Sequence, residues 1–257
     1  MTNYQGKIYF ISDTHLGAPA LSNNLEREKL LVRWLDEIKQ DAAALFLMGD
    51  IFDYWFEYKT VAPRGFTRFL GKLAELSDSG IPIHFFTGNH DVWVFDYLPK
   101  EIGFQLHREE MRVTLSGKKF FLAHGDGLDP YDKGYHFLKK LFTNRFLQWL
   151  NSWLHPDVGI RLAHAWSKKS RLSKGMFVPF KGEDAEGLYL FAKSVLEQEE
   201  VDYFIFGHRH LLLDLPLGKK SRYINLGDWI THFSYGVFDG NKFELKTYKG
   251  PGEKPKN

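Results

Sequence analysis

The sequence predicts an α/β fold of mixed β-sheets flanked by helices and interrupted by one helical insertion. Three observations carry this expectation. Short apolar runs at 8–11, 44–48, 83–87, 120–123, 203–206 and 223–226 recur with helical segments between them, as in sheets buried on both faces. Two hairpin patterns add antiparallel strands to these parallel units. A long stretch after residue 131 has almost no strand signal and is rich in aromatic and basic residues.

Taken in order, the first crossover spans 25–40, where Leu30, Leu31, Trp34, Leu35 and Ile38 keep helical spacing. The second spans 66–77, with Phe69, Leu70, Leu73 and Leu76 on one face. Beyond residue 97 the pattern changes, and 111–115, the turn Ser116-Gly117 with Lys118-Lys119, and 120–123 read as a hairpin. The insertion follows. Its part from 137 to 154 holds Phe137, Leu138, Leu141, Phe142, Phe146, Leu147, Trp149, Leu150, Trp153 and Leu154, an apolar arc wider than a core-facing stripe needs. At the end of the chain, 235–238, Asp239-Gly240-Asn241 and 243–248 form a second hairpin pattern. One domain over 1–249 is expected, with a helical insertion at about 131–181 and a disordered tail at 250–257, where Pro, Gly and Lys accumulate.

The 257 residues, 44% hydrophobic and 16% aromatic, suffice for one large core. The chain has no cysteine, which excludes disulfides, thiolate metal sites, iron–sulfur clusters and cysteine nucleophiles. Any metal must sit on oxygen and imidazole. The polar N-terminus does not read as a signal peptide, and no window reaches the roughly 18 apolar residues of a membrane span, so a cytoplasmic address is expected. Net charge is +2, but ten Lys or Arg against two acids make 131–181 a +8 module in a body of −6.

Five polar clusters follow the apolar runs: Asp13-Thr14-His15, Gly49-Asp50, Gly88-Asn89-His90-Asp91, His124-Gly125-Asp126 and Gly207-His208-Arg209-His210. Ligand sites of α/β sheets gather beyond the carboxyl ends of strands. In an extended Asp-x-His or His-x-His both side chains would point the same way and reach one ion. A single such cluster is more often a capped turn. Five together, all built from hard oxygen or imidazole donors, point to metal, and the donor set suits Mn, Fe, Zn or Ni.

These motifs, in this order, resemble the calcineurin-like metallophosphoesterases. The resemblance implies a sandwich of two mixed β-sheets flanked by helices, holding two divalent ions, with Mn the first choice. One ion would be held by Asp13, His15 and His210, the other by Asn89, His124 and His208, and Asp50 would bridge them. Asn89 would also meet substrate. The nucleophile is then hydroxide, with His90 contacting phosphate or protonating the leaving group and Asp91 orienting the His90 ring.

The basic, aromatic insertion suits a substrate carrying both acyl chains and phosphates, or a membrane surface. An ordinary helical hairpin packed on the core and a nucleic-acid groove are the competing readings. Gly49-Asp50-Ile51-Phe52 followed by Trp55, Tyr135 in the insertion, Ser167-Lys168, and Leu226-Gly227-Asp228-Trp229 resemble the UDP-2,3-diacylglucosamine pyrophosphohydrolases of lipid A biosynthesis. That likeness implies cleavage of a lipid-nucleotide substrate to UMP and 2,3-diacylglucosamine 1-phosphate (lipid X) under a helical lid, with peripheral membrane contact. Trp55 and Tyr135 would line the sugar-phosphate end, and Ser167, Lys168, Arg171 and Lys174 would face phosphate or glucosamine. In one departure, members of that subfamily carry Arg where this chain has His90. A phosphodiesterase or nuclease of the same fold is the alternative. A non-enzymatic module is disfavoured by the complete ligand set.

Overall fold

The computed structural model describes residues 4–131, 133–174 and 179–250, with the side chains of 133, 166 and 168–174 outside that description. Along the chain, β1 (Lys7–Ile11), α1 (Asn24–Ile38), β2 (Ala42–Leu47), α2 (Thr67–Asp78), β3 (Ile83–Phe86), α3 (Tyr97–Ile102) and β4 (Gln105–His107) alternate. β5 (Met111–Leu115) and β6 (Lys118–Leu122) form the first hairpin, and α4 (Lys133–Thr143), α5 (Arg145–Ser152) and α6 (Pro156–Lys174) form the insertion. Then come α7 (Gly187–Leu196), β7 (Tyr203–Phe206), β8 (Leu212–Leu217), β9 (Ser221–Leu226), β10 (Ser234–Phe238) and β11 (Phe243–Thr247). The strands make a six-stranded sheet ordered β11-β10-β1-β2-β3-β4 and a five-stranded sheet ordered β5-β6-β7-β9-β8. β1 to β4 run parallel in the first sheet, as do β6, β7 and β9 in the second, and the hairpin strands supply the antiparallel edges.

Strand alternation sorts the apolar runs between layers. Ile8, Phe10, Ala44 and Phe46 point between the sheets and meet Phe120, Leu122, Ile205 and Ile224. Phe10 stacks on Phe46 at 5.0 Å and on Phe120, from the opposite sheet, at 6.2 Å. Tyr9, Ile11, Leu45 and Leu47 point outward beneath Leu31, Trp34, Leu35 and Leu73 of α1 and α2. On the other side, Phe121, Phe204, Phe206 and Tyr223 lie under Leu188, Ala192 and Val195 of α7. The inner strands are therefore hydrophobic on both faces rather than at every second position alone.

Two buried acids finish helices other than their own. Glu28 of α1 accepts from the amides of Arg68 and Phe69 at the start of α2. Glu57 accepts from Phe95, Asp96, Tyr97 and Leu98 where α3 begins. In each case a carboxylate satisfies first-turn donors at the positive end of the helix dipole. The expected strands and crossover helices are all present, while β4, β8, α3 and α7 were not foreseen. β8 contains Pro216 and lies at the sheet edge, where proline is tolerated, and so lacks the uniform signature of an inner strand.

The insertion does not pack its aromatics into the core. α5 buries none of its side chains, and Phe137, Phe146 and Trp153 are 63%, 65% and 74% exposed. What ties this part of it down is Trp93, whose Nε1 donates to the Phe142 carbonyl at 2.9 Å while its ring packs edge-on against Phe142. No helix among the described residues is long and apolar enough to cross a membrane. The tail expected to be disordered lies outside the described residues from 251 onward.

A histidine pair at the β3–β4 edge sets an acid limit. His84 stacks on Phe46 at 4.3 Å, and its Nδ1 lies 3.0 Å from His107 Nε2. Burial, helped by the neighbouring His107, pushes His84 down to about 4. With the folded-state value depressed, the unfolded chain takes up the proton first, so this contribution is intact near neutral pH and is lost as pH falls from about 6.5 to about 4. Denaturant titrations between pH 7 and 5 should show a loss on the order of 1–3 kcal/mol that is smaller in His84→Gln. An equal loss in the variant would remove His84 from the acid response.

Candidate metal centre

The parallel pairing of β1 with β2 and of β2 with β3 delivers three loops side by side at their carboxyl ends, and β6, β7 and β9 do the same in the facing sheet. Five residues there hold left-handed backbone: Asp13 (φ 54°), His15 (φ 40°), Asp50 (φ 52°), His208 (φ 65°) and His210 (φ 54°). Non-glycine residues rarely adopt that region. Cross-strand bonds hold them in it: the Asp13 amide donates to the Gly49 carbonyl, the His15 amide to Asp50, and the Leu16 amide to Ile51, at 2.9–3.1 Å. The expectation that an extended Asp-x-His aims both side chains alike is thus corrected. The residues lie past the end of β1, and curled backbone, not strand pleat, turns them to a common point. Close approach also demands small residues. A Cβ at Gly207 would stand 1.9 Å from Ser12 Oγ and one at Gly88 would stand 2.2 Å from Asp50 Oδ1.

Two donor clusters result. In the first, Asp13 Oδ1 lies 3.3 Å from His210 Nε2 and 3.8 Å from His15 Nε2, and the two imidazole nitrogens are 3.2 Å apart. In the second, Asp50 Oδ2 lies 3.4 Å from His124 Nε2, while His208 Nδ1 lies 3.0 Å from Asn89 Oδ1. Asp50 Oδ2 is also 3.7 Å from His15 Nε2, so one carboxylate oxygen stands between the clusters, its partner oxygen fixed by the His90 amide at 2.8 Å. The imidazoles are oriented from behind. His124 Nδ1 bonds the Met48 carbonyl at 2.8 Å, His15 Nδ1 faces Asp53 Oδ1 at 3.3 Å, and His210 Nδ1 faces Asp228 Oδ2 at 3.5 Å. Each presents Nε2 to the centre, the usual arrangement behind metal-binding histidines.

The electrostatics fit cations. Burial alone would raise Asp13 and Asp50, but facing imidazoles, His210 and His15 for the first and His124 and His90 for the second, hold both carboxyls below the usual range. Burial would likewise lower the histidines, yet the facing carboxylates of Asp13 and Asp53 bring His15 up to about 9, and Asp50 brings His124 up to about 10. The local potential is strongly negative. Asp13 Oδ1 and His124 Nε2 are buried without a hydrogen-bond partner, which leaves both atoms available to a cation. Oxygen and imidazole without sulfur suit two borderline divalent ions.

The sequence description for calcineurin-like phosphoesterases matches residues 6–212. A UDP-2,3-diacylglucosamine hydrolase from Porphyromonas gingivalis is 45% identical over 95% of this chain and 98% of its own. A protein of the same name from Edwardsiella ictaluri is 30% identical over 92% and 90%. Among solved structures, a dimetal phosphatase from Danio rerio, 14% identical, covers 96% of this chain and 100% of its own at a TM-score of 0.46. The chain belongs to the calcineurin-like phosphoesterase family. This phosphoesterase is therefore a metal-dependent hydrolase of a family with a dinuclear divalent-metal site.

Its other expected site residues divide. His90 packs edge-on against His15 at 4.7 Å, with its Nδ1 on the Asp53 carbonyl at 2.8 Å. Asp91 does not orient that ring. Its fully buried carboxylate instead accepts from the amides of Gly88, Asp50, Ile51 and Phe52, tying two loops together, and burial plus the Asp50 charge push it up to about 7. Trp55 does not line the site either. It is fully buried against Phe52 at 4.5 Å with Nε1 on Glu57, because an indole that satisfies its N–H internally is core. Tyr135 stands 6.0 Å from the His208 ring, its hydroxyl donating to Asp126 at 2.7 Å. The buried Ser167 donates to Asp53 Oδ2 at 3.1 Å, joining α6 to the centre. The side chains of Lys168, Arg171 and Lys174 lie outside the described residues.

Sequence reasoning missed Asp53 and gave Asp228 no role. Asp53 serves His15, His90 and Ser167 at once, and its signal was a second acid three residues after Asp50. Asp228, held low by His210 and the amides of Thr231 and His232 against the effect of burial, backs His210 from the end of β9. Arg27 gave no signal. From α1 it donates to the carbonyls of Thr14 and Trp229, clamping the loops that carry His15 and Asp228. Asp228→Ala should weaken divalent-metal binding about 10- to 100-fold in equilibrium dialysis while circular dichroism stays unchanged. Undiminished binding would show that His210 does not depend on this carboxylate.

Proposed function

We propose that this phosphoesterase hydrolyses the pyrophosphate of UDP-2,3-diacylglucosamine to UMP and 2,3-diacylglucosamine 1-phosphate. The observation that carries the reading is a pair of donor clusters sharing Asp50 beside an insertion whose aromatic face points away from the core. The relative from P. gingivalis, named for this substrate and aligned over nearly its full length, supports it.

Asp13, His15 and His210 would hold one cation and Asn89, His124 and His208 the other, with Asp50 between. When bound, two divalent ions, Mn by preference, supply Lewis acidity toward phosphoryl oxygens and activate water at neutral pH. The protein's own groups do the rest. Asn89 turns its amide oxygen to His208, which leaves its NH2 to donate to a phosphoryl oxygen. The His90 ring, with Nδ1 on the Asp53 carbonyl, has Nε2 for a phosphate or a departing oxygen. Burial holds His90 below the ordinary histidine range. Tyr135 and Ser167 tie the insertion to the loops of this centre, through Asp126 and Asp53.

The insertion supplies the lipid side. The exposed Phe137, Phe146, Trp149, Leu150 and Trp153, with Arg161 also exposed, match acyl chains beside anionic headgroups at the cytoplasmic face of a membrane. These side chains face outward rather than enclosing a channel.

With manganese present, UDP-2,3-diacylglucosamine should be cleaved, the deacylated compound much more slowly, and single-stranded DNA not at all. Equal rates with and without acyl chains would remove the lid from substrate selection, and DNA cleavage would favour a nuclease. His90→Ala should retain two metals by elemental analysis while turnover falls roughly 10²-fold; full turnover would place His90 outside the mechanism.

A further inference from the structure

Beside the second donor cluster lies a cavity of about 240 Å³ that none of the roles above uses. Two of its residues belong to the loops of the metal centre: Thr87 is two positions before Asn89, and Asp126 two positions after His124. Lys139 of α4, Arg145 and Gln148 of α5, and Arg108 complete the argument for what it holds.

The charges do not cancel. Lys139 pairs with Asp126 at 2.9 Å. Arg108 donates to the carbonyls of Val92 and Val94 and lies 5.7 Å over the Phe95 ring, with the Glu57 carboxylate, outside the cavity lining, acting on its charge. Neither Arg108 nor Arg145 has a carboxylate within ion-pair distance among the described residues. Three cations face one acid, an arrangement that favours an anionic ligand. The polar lining is also directional. Gln148 Nε2 donates to the Phe142 carbonyl at 2.8 Å, the same oxygen that accepts from Trp93, which fixes the amide and leaves Oε1 and one N–H for a ligand. The cavity is below the roughly 300–1,000 Å³ typical of pockets for whole drug-sized ligands, and too small for two acyl chains.

We propose that this cavity is the subsite for the nucleoside monophosphate half of the substrate. The inference rests on the pyrophosphohydrolase reading above: the lipid half has the aromatic face of the insertion, and the other half must leave the metal centre in another direction. Uracil presents two carbonyls flanking one N–H, which match arginine donors and the free Oε1 of Gln148. The 5′-phosphate, held toward Thr87 and Asn89, accounts for the excess of positive charge.

Calorimetric titration of the Mn-loaded enzyme with UMP, CMP, inorganic phosphate and 2,3-diacylglucosamine 1-phosphate tests the assignment. Arg145→Ala and Gln148→Ala should each weaken UMP binding roughly tenfold, the effect of one strong hydrogen bond. Gln148→Ala should also erase a preference for UMP over CMP. Affinity for the lipid product and the content of two metals should not change. Unchanged UMP affinity in both variants, an equal loss for the lipid product, or wild-type affinity for phosphate equal to that for UMP would overturn the subsite. If the wild-type enzyme cleaves UDP-2,3-diacylglucosamine, such a result leaves the pyrophosphohydrolase reading standing; if it neither cleaves that compound nor binds UMP, both fall.

Discussion

Asp13 and Asp50, two buried carboxylates at the ends of paired parallel strands, raise each other's proton affinity and could not both stay ionised alone. The architecture around them answers that repulsion. Imidazoles from the facing sheet lean over both, the His208 amide donates to Asp13 Oδ2 at 2.9 Å, and the His90 amide donates to Asp50 Oδ1. The two sheets are thereby joined at their carboxyl ends by charge as well as by the apolar layer between them. A divalent cation in each cluster would meet the same negative potential more completely than protonated histidines do.

Holding that many ligands in so small a volume needs backbone that most sequences avoid. Left-handed conformations at Asp13, His15, Asp50, His208 and His210 would cost on the order of 1–3 kcal/mol each if unsupported. They persist because the surroundings over-determine them: Asp91 gathers four amides, Arg27 clamps two loops from outside, and glycine at 88 and 207 lets the loops close to contact. Stability is thus concentrated behind the ligands rather than in them. The same supports explain why Asp53 and Asp228, which are not themselves in the expected ligand set, matter to it.

The insertion follows a different logic. It contributes little to the core and meets the metal centre through a few polar contacts, Ser167 on Asp53 and Tyr135 with Lys139 on Asp126. Its aromatic surface remains outside. Such an element can keep its apolar side chains exposed because its orientation is set by hydrogen bonds to the loops of the metal centre. The nucleotide side, by contrast, has a small charged cavity walled by the same helices.

By itself the sequence determined the layered α/β fold, the inner strands and the place where candidate donors gather, since burial on both faces leaves apolar runs and since Asp, Asn and His recur where those runs end. It could not determine how the donors converge. Asp-x-His looked like a strand pair, and only the register between β1 and β2 shows the backbone curling left-handed past the strand end. Asp91 next to His90 looked like its orienting acid, but chain neighbours in a tight turn point apart, and Asp53, far away in sequence, takes that place. Trp55 carried a family position yet belongs to the core, because whether an indole faces inward depends on the side chains packed around it. Local pattern records what each residue can do; which partner it meets is decided by contacts between residues as far apart as 13 and 208, and these exist only once both sheets have closed.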